Sequence, residues 1–276
     1  VTAAGPVRGT LKLKYRYMDS IILQYIHIYQ DIDRIDFETE IDWKETHTLL
    51  KIAFPVDVYT NKATYEIQYG NVERPTHWNT SWDTARFEVC GHKWADLSEE
   101  GYGVSLLNDC KYGYDIKDGV MRLSLLKSST WPNPAADKEK HVFTYALYPH
   151  AGNVKQGNTI EMGYQLNVPA VGKVIPPQEG NLPEAFGLIE LDQGNIIIES
   201  IKEAEEDSAM IIRLYEAKHQ RSRVNMKLNL KIRKVFVCNL LEENLKEVQL
   251  QDDVITFEMK PYEIKTFKVY REALDF

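Results

Sequence analysis

Apolar and polar residues alternate with a period of two along much of the chain. Ile35, Phe37, Thr39 and Ile41 interleave with Asp36, Glu38, Glu40 and Asp42. Ala63, Tyr65, Ile67 and Tyr69 interleave with Thr64, Glu66 and Gln68, and Met226, Leu228, Leu230 and Ile232 with Lys227, Asn229, Lys231 and Arg233. Successive side chains of a strand point to opposite faces, so each run predicts a strand with one face on a core and the other in water. Residues 22–30, 48–58, 120–127, 141–148, 194–201, 209–216 and 254–259 add short runs rich in β-branched and aromatic residues. No segment longer than about two turns keeps a helical stripe. Many strands with no helices between them predict an all-β protein of stacked antiparallel sheets, a sandwich architecture.

Two stretches interrupt the alternation. "STWPNPAADKEKH", residues 129–141, mixes prolines with charges and small residues and predicts an exposed loop inside the first domain. "VPAVGKVIPPQEGNLPEAFG", residues 168–187, carries four prolines and three glycines. Such a segment predicts the crossing from a large β-sandwich over 1–180 to a smaller C-terminal one over 181–276.

Composition narrows the partners. A chain of 276 residues, 43% of them hydrophobic, can fill a real core. The formal charge of −8 disfavours a nucleic-acid backbone or an anionic membrane as partner. No run approaches the roughly 20 apolar residues of a membrane span. Cys90, Cys110 and Cys238 form no CxxC pair and are odd in number, which predicts reduced thiols and a cytoplasmic setting. Opening on Val1 and entering strand-like sequence almost at once, the chain reads as a sandwich joined partway, incomplete at its N-terminal side.

Candidate chemistry is sparse. The carboxylates of 36–42 recur every second residue, about 7 Å apart along a strand, which suits a solvated face better than a cation site. The histidines at 27, 47, 77, 92, 141, 150 and 219 show neither HExxH spacing nor a cluster with cysteine. No GxSxG elbow, P-loop or dinucleotide fingerprint is present. Rings instead gather between residues 73 and 115: Trp78, Trp82, Trp94, Tyr102, Tyr112 and Tyr114. Rings beside carboxylates suit a sugar, which offers an apolar C–H face for stacking and hydroxyls for hydrogen bonds. The same tryptophans would equally plug a sandwich core, and "GYGVSLLNDCKYGYD" (101–115) would equally be a strand followed by a tight turn.

The run "HKWADLSEEGYGVSLLNDCKYGYDIKDGVMRLSLLKSSTWPNP" resembles the C-terminal β-region of α-mannosidases of glycoside hydrolase family 38, most of all the bacterial and cytosolic branch. The similarity continues upstream through "DFETEIDWKETHTLLKIAFP" and "ATYEIQYGNVERPTHWNT", and downstream through "HVFTYALYPHAG" and "IIIESIKEAEEDSAMIIRLYEA", so that nearly the whole chain takes part.

The resemblance implies a division of labour. A separate N-terminal barrel would carry zinc, bound by Asp and His residues, and the aspartate nucleophile of a retaining mechanism, whose two carboxyls lie about 5 Å apart in one site. The present chain would supply no cofactor and no catalytic residue. Its partners would be that barrel and a mannose-containing oligosaccharide, with self-association as a further arrangement. The loop "LNDCKYGYD" would lean toward the barrel's active site. By resemblance Asn108, Asp109 and Lys111 would meet sugar hydroxyls or catalytic-domain groups, while Tyr112, Tyr114 and Asp115 shape the loop. The Golgi and lysosomal branches are arginine-rich here, and Lys111 offers a point charge in place of a bidentate fork. Two rival functions remain at this stage: a stand-alone carbohydrate-binding module, and a purely structural or oligomerising sandwich.

Overall fold

The computed structural model describes residues 1–180 and 183–272. They divide into two compact units, Val1–Gly172 and Lys173–Phe276. The division falls inside the proline-rich segment, upstream of the expected 180/181 boundary. Asn181, Leu182 and residues 273–276 lie outside the described residues.

In the first unit a nine-stranded antiparallel sheet runs, edge to edge, Ala3–Ala4, Arg8–Tyr17, Ser20–Tyr29, Ile35–Asp42, Lys140–Ala151, Tyr102–Asn108, Trp94–Ser98, Lys62–Ile67 and Gly70–Pro75. A four-stranded sheet, Leu50–Pro55, Val120–Leu126, Gly113–Lys117 and Val89–Cys90, covers it. Leu106, Phe143 and Tyr145 from the large sheet meet Met121, Leu123 and Ile116 from the small one in a single apolar cluster. In the second unit a sheet of Ile189–Leu191, Ser222–Leu228 and Val254–Met259 faces one of Ile196–Glu203, Met210–Glu216, Ile264–Arg271, Ile232–Cys238 and Asn244–Val248. Val224, Met226 and Ile255 pack there against Ile212, Leu214 and Phe267. The all-β sandwich expectation holds in each unit.

Four local expectations are corrected. Asp36 is not on a solvated face: it is buried, accepts two hydrogen bonds from Arg34 (2.6 and 3.0 Å) and one from Tyr29 (2.9 Å). Met226–Ile232 is not one strand, because Leu228 ends a strand of one sheet and Ile232 begins a strand of the other. Tyr69 leaves its strand with φ of 56°, in the hairpin turn between Lys62–Ile67 and Gly70–Pro75. Helices also occur, at Ser81–Ala85 and Thr159–Asn167. The first starts in a capping box between Thr80 and Asp83. The second is held by tertiary contact: a Cβ on Gly163 would come within 2.9 Å of the Trp94 ring, so glycine lets the helix lie close to the sheet.

Candidate active-site loop

The loop grows out of the Tyr102–Asn108 strand and returns through Gly113–Lys117 in the other sheet. Asn108 is the hinge of this passage and is fully buried. Its amide nitrogen donates to the His92 carbonyl (2.8 Å) and to the Tyr114 hydroxyl (2.5 Å), and its amide oxygen accepts from the Lys111 backbone N–H (2.5 Å). Its own carbonyl accepts from Asn167, the last residue of the Thr159–Asn167 helix (2.9 Å). Every polar atom of the Asn108 side chain is thus spent on protein partners. This position, expected by resemblance to touch a sugar, is instead the internal brace of the loop.

Tyr114 is equally enclosed. Its ring packs edge-on to Tyr65 at 6.0 Å, and burial pushes its phenol far above the usual range, against the opposing effect of the Asn108 hydrogen bond. Gly91 permits this packing, since a Cβ there would lie 2.9 Å from the Tyr114 ring. Asp115 alternates to the other face and sits between Lys51 (3.7 Å) and Arg122 (3.5 Å).

The middle of the loop is what reaches solvent. Asp109 and Tyr112 are exposed and Lys111 is half-buried. One Asp109 oxygen accepts from the Thr144 N–H (2.8 Å), while its own N–H donates to the Thr144 carbonyl (3.1 Å), which pins the loop to the Lys140–Ala151 strand. The Lys111 ammonium lies 4.4 Å from the Phe143 ring centre. Tyr112 meets the edge of His92 at 5.6 Å. The structure therefore brings Asp109, Lys111 and Tyr112 together on the surface and withdraws Asn108, Tyr114 and Asp115 into support.

Sequence reasoning did not single out that support. Glu66 receives the Lys93 backbone N–H (2.6 Å) and ammonium (2.9 Å), fixing the segment that carries His92. Lys93 also covers the Tyr164 ring at 4.5 Å. A helix end that donates to a strand end, as Asn167 does, has no period or spacing by which a sequence announces it. Around this region Trp82, Phe87 and Tyr112 stand 75%, 62% and 55% exposed, whereas Trp94 is buried. The tryptophans thus divide between core and surface. Among the described residues no group of three or more His, Cys, Asp or Glu is placed to hold a metal.

A profile described as "Glycosyl hydrolases family 38 C-terminal domain" matches residues 1–135, and one described as "Glycosyl hydrolases family 38 C-terminal beta sandwich domain" matches residues 195–267. Together they take in most of the chain and touch both units. The chain belongs to the C-terminal region of glycoside hydrolase family 38. Alpha-mannosidase G of Dictyostelium discoideum is 38% identical over 96% of this chain and 25% of its own length. Human alpha-mannosidase 2C1 is 39% identical over 83% of this chain and 22% of its own length. This family 38 chain thus spans about a quarter of the length of the curated relatives it matches. The crystal structure of an alpha-mannosidase from Enterococcus faecalis V583 shares its fold, with a TM-score of 0.77 at 19% identity over 90% of this chain and 29% of that one.

Proposed function

We propose that this chain is the non-catalytic C-terminal portion of a retaining α-mannosidase acting on terminal α-linked mannose, and that it supports the catalytic barrel and lends the 108–115 loop to the active site. One observation carries the reading: both β-units match the same family, in relatives named alpha-mannosidase that extend about four times further than this chain. Within the loop, Asp109 and Lys111 offer charge-assisted hydrogen bonds to hydroxyls, and Tyr112 offers a ring face. Zinc and the carboxylate pair belong to the barrel in this reading. The exposed Trp82 and Phe87 suit a surface that a further domain covers. No described helix is long and apolar enough to cross a membrane, and all three cysteines are free; a cytoplasmic enzyme accords with both.

The test compares two polypeptides with an activated aryl α-mannoside. The full-length reading frame should turn it over in a zinc-dependent manner, and the isolated chain should not, with or without zinc. Turnover by the purified isolated chain would overturn the reading. Saturable binding of free mannosides to the isolated chain would favour the carbohydrate-binding module, for which the same exposed rings would serve as platform.

A further inference from the structure

Away from the 108–115 loop, the two sheets of the first unit are unequal in width. The Phe54 and Phe37 ring centres lie 5.4 Å apart, so Leu50–Pro55, an end strand of the four-stranded sheet, stands over Ile35–Asp42. The strands Ser20–Tyr29, Arg8–Tyr17 and Ala3–Ala4 project beyond it. Opposed residues of antiparallel strands share a face. Ile26 pairs with Phe37 and Ile22 with Ile41, both packed in the core cluster, and Leu11 and Tyr15 pair in turn with Ile26 and Ile22. The apolar side chains of the projecting strands therefore point to the layer of the small sheet, which ends short of them. Leu11, Tyr15 and Ile28 are left 41%, 47% and 58% exposed. Between this face and the end strand runs an apolar groove of about 260 Å³, lined by Tyr15, Ile22, Phe37, Ile52, Phe54 and Tyr145.

The backbone beside the groove is equally unfinished. Val56 N–H donates to the Gly119 carbonyl (2.8 Å), so the alternation of an antiparallel ladder turns Phe54 and Ile52 toward Val120–Leu126 and turns Lys51 and Ala53 outward. Leu50–Pro55 ends its sheet, and among the described residues no strand pairs with that outer edge. Few devices guard it. Lys51 points its ammonium at Glu88 and Asp115 (3.8 and 3.7 Å), Ala53 is small, and Pro55 closes one end only. A free edge along an uncovered apolar face is the geometry of strand addition, in which main-chain hydrogen bonds bind and alternate side chains fill the groove.

Sterics narrow the occupant. A second copy joined through Leu50–Pro55 would be related by a twofold axis perpendicular to the sheet, which keeps the layers level. Its own projecting strands, roughly 14 Å across at about 4.8 Å per strand, would then run into those of the first copy. A slim segment fits where a second sandwich does not. The curated relatives extend about four times further than this chain, and a segment tethered in the same molecule binds at a high effective concentration. We infer that the groove takes one extended segment of the longer polypeptide, apolar at alternate positions, which pairs with Lys51 and Ala53 and covers Tyr15 and Ile22. That source rests on the function proposed above.

Residue-resolved hydrogen exchange on the 276-residue chain and on the full-length polypeptide tests this. The Lys51 and Ala53 amides should exchange about 100-fold or more slowly in the full-length polypeptide, with Ile52 and Phe54, bonded to the neighbouring strand in both, as the internal reference. Tyr15→Glu places a charge beneath the segment. It should speed exchange at Lys51 and Ala53 by about tenfold or more in the full-length polypeptide and leave the isolated chain unchanged. Equal exchange at Lys51 and Ala53 in the two native polypeptides would overturn the inference, even if Tyr15→Glu does not fold. So would protection in the isolated chain that grows with protein concentration alongside a dimer mass, which would put a second copy in the groove. Exchange is read independently of turnover, so an inactive full-length protein that protects Lys51 and Ala53 would sustain this inference while refuting the proposed activity.

Discussion

His150 Nε2 stands 2.7 Å from Asp96 Oδ2, and both side chains are closed off from solvent. Asp96 also accepts from Ser105 Oγ (2.8 Å), whose oxygen lies 2.7 Å from Thr159 Oγ1 at the start of the Thr159–Asn167 helix. The pair thus ties three strands of the nine-stranded sheet to the helix over it.

The charge state of this pair makes stability depend on pH. Burial opposes the imidazolium, but the Asp96 hydrogen bond and charge, with the Ala151 and Gly152 carbonyls, outweigh it and leave the His150 pKa raised. A raised folded-state pKa contributes stability that is fully present below the unfolded value of about 6.5 and is lost as pH rises through the folded value. The midpoint gap between the native protein and His150→Gln should therefore be largest in acid and narrow above neutrality. A gap that stays constant across a thermal series from about pH 5.5 to 9 would contradict the charged pair. Asp96→Asn, which strands the imidazolium, should cost about 3–5 kcal/mol at the acidic end.

Gly103 gives His150 its room. A Cβ there would lie 2.6 Å from the Ser98 Cβ and would also strike the imidazole. Gly103→Ala should destabilise by about 1–3 kcal/mol through overpacking, read as a lower urea midpoint at unchanged m-value.

Tyr114→Phe removes the hydroxyl that Asn108 donates to and leaves a buried amide N–H with one partner fewer. A loss of about 1–3 kcal/mol should follow. Denaturant titration measures it, and a neutral substitution would show that Asn108 finds another acceptor.

Asp109 separates support from chemistry. Asp109→Asn keeps an acceptor for the Thr144 N–H and removes the charge, whereas Asp109→Ala removes both. If the carboxylate meets substrate or a catalytic-domain cation, both variants of the full-length enzyme should lose about 10- to 100-fold in kcat/KM, with only Asp109→Ala losing stability. Full activity in Asp109→Asn would reduce Asp109 to a loop anchor.

What the sequence could and could not disclose follows from what a period-two pattern contains. It names the two faces of a strand, so Ile35–Asp42 and Lys62–Ile67 were legible almost to the residue. It does not say whether the polar face is covered. Asp36 therefore read as solvated, though Arg34 and Tyr29 enclose it. Nor does it say where an amphipathic ribbon changes sheets, because Leu228 and Ile232 keep the same beat across the corner. In the loop, resemblance pointed to residues 108–115, yet only the structure separates the exposed Asp109 and Tyr112 and the half-buried Lys111 from the buried Asn108 and Tyr114. That separation depends on where His92, Asn167 and Thr144 come to lie, each brought in from another strand or helix.

The corner at residues 229–231 also has a mechanical side. Because Leu228 closes a strand in one sheet and Ile232 opens a strand in the other, this short stretch of backbone works as a covalent rivet through the smaller sandwich. The chain makes the same passage at 192–195, 217–221, 249–253 and 260–263, so five covalent crossings stitch the two layers of the smaller sandwich together. A single peptide-bond cut at 229–231 would leave four of those crossings in place, and the layers would stay joined.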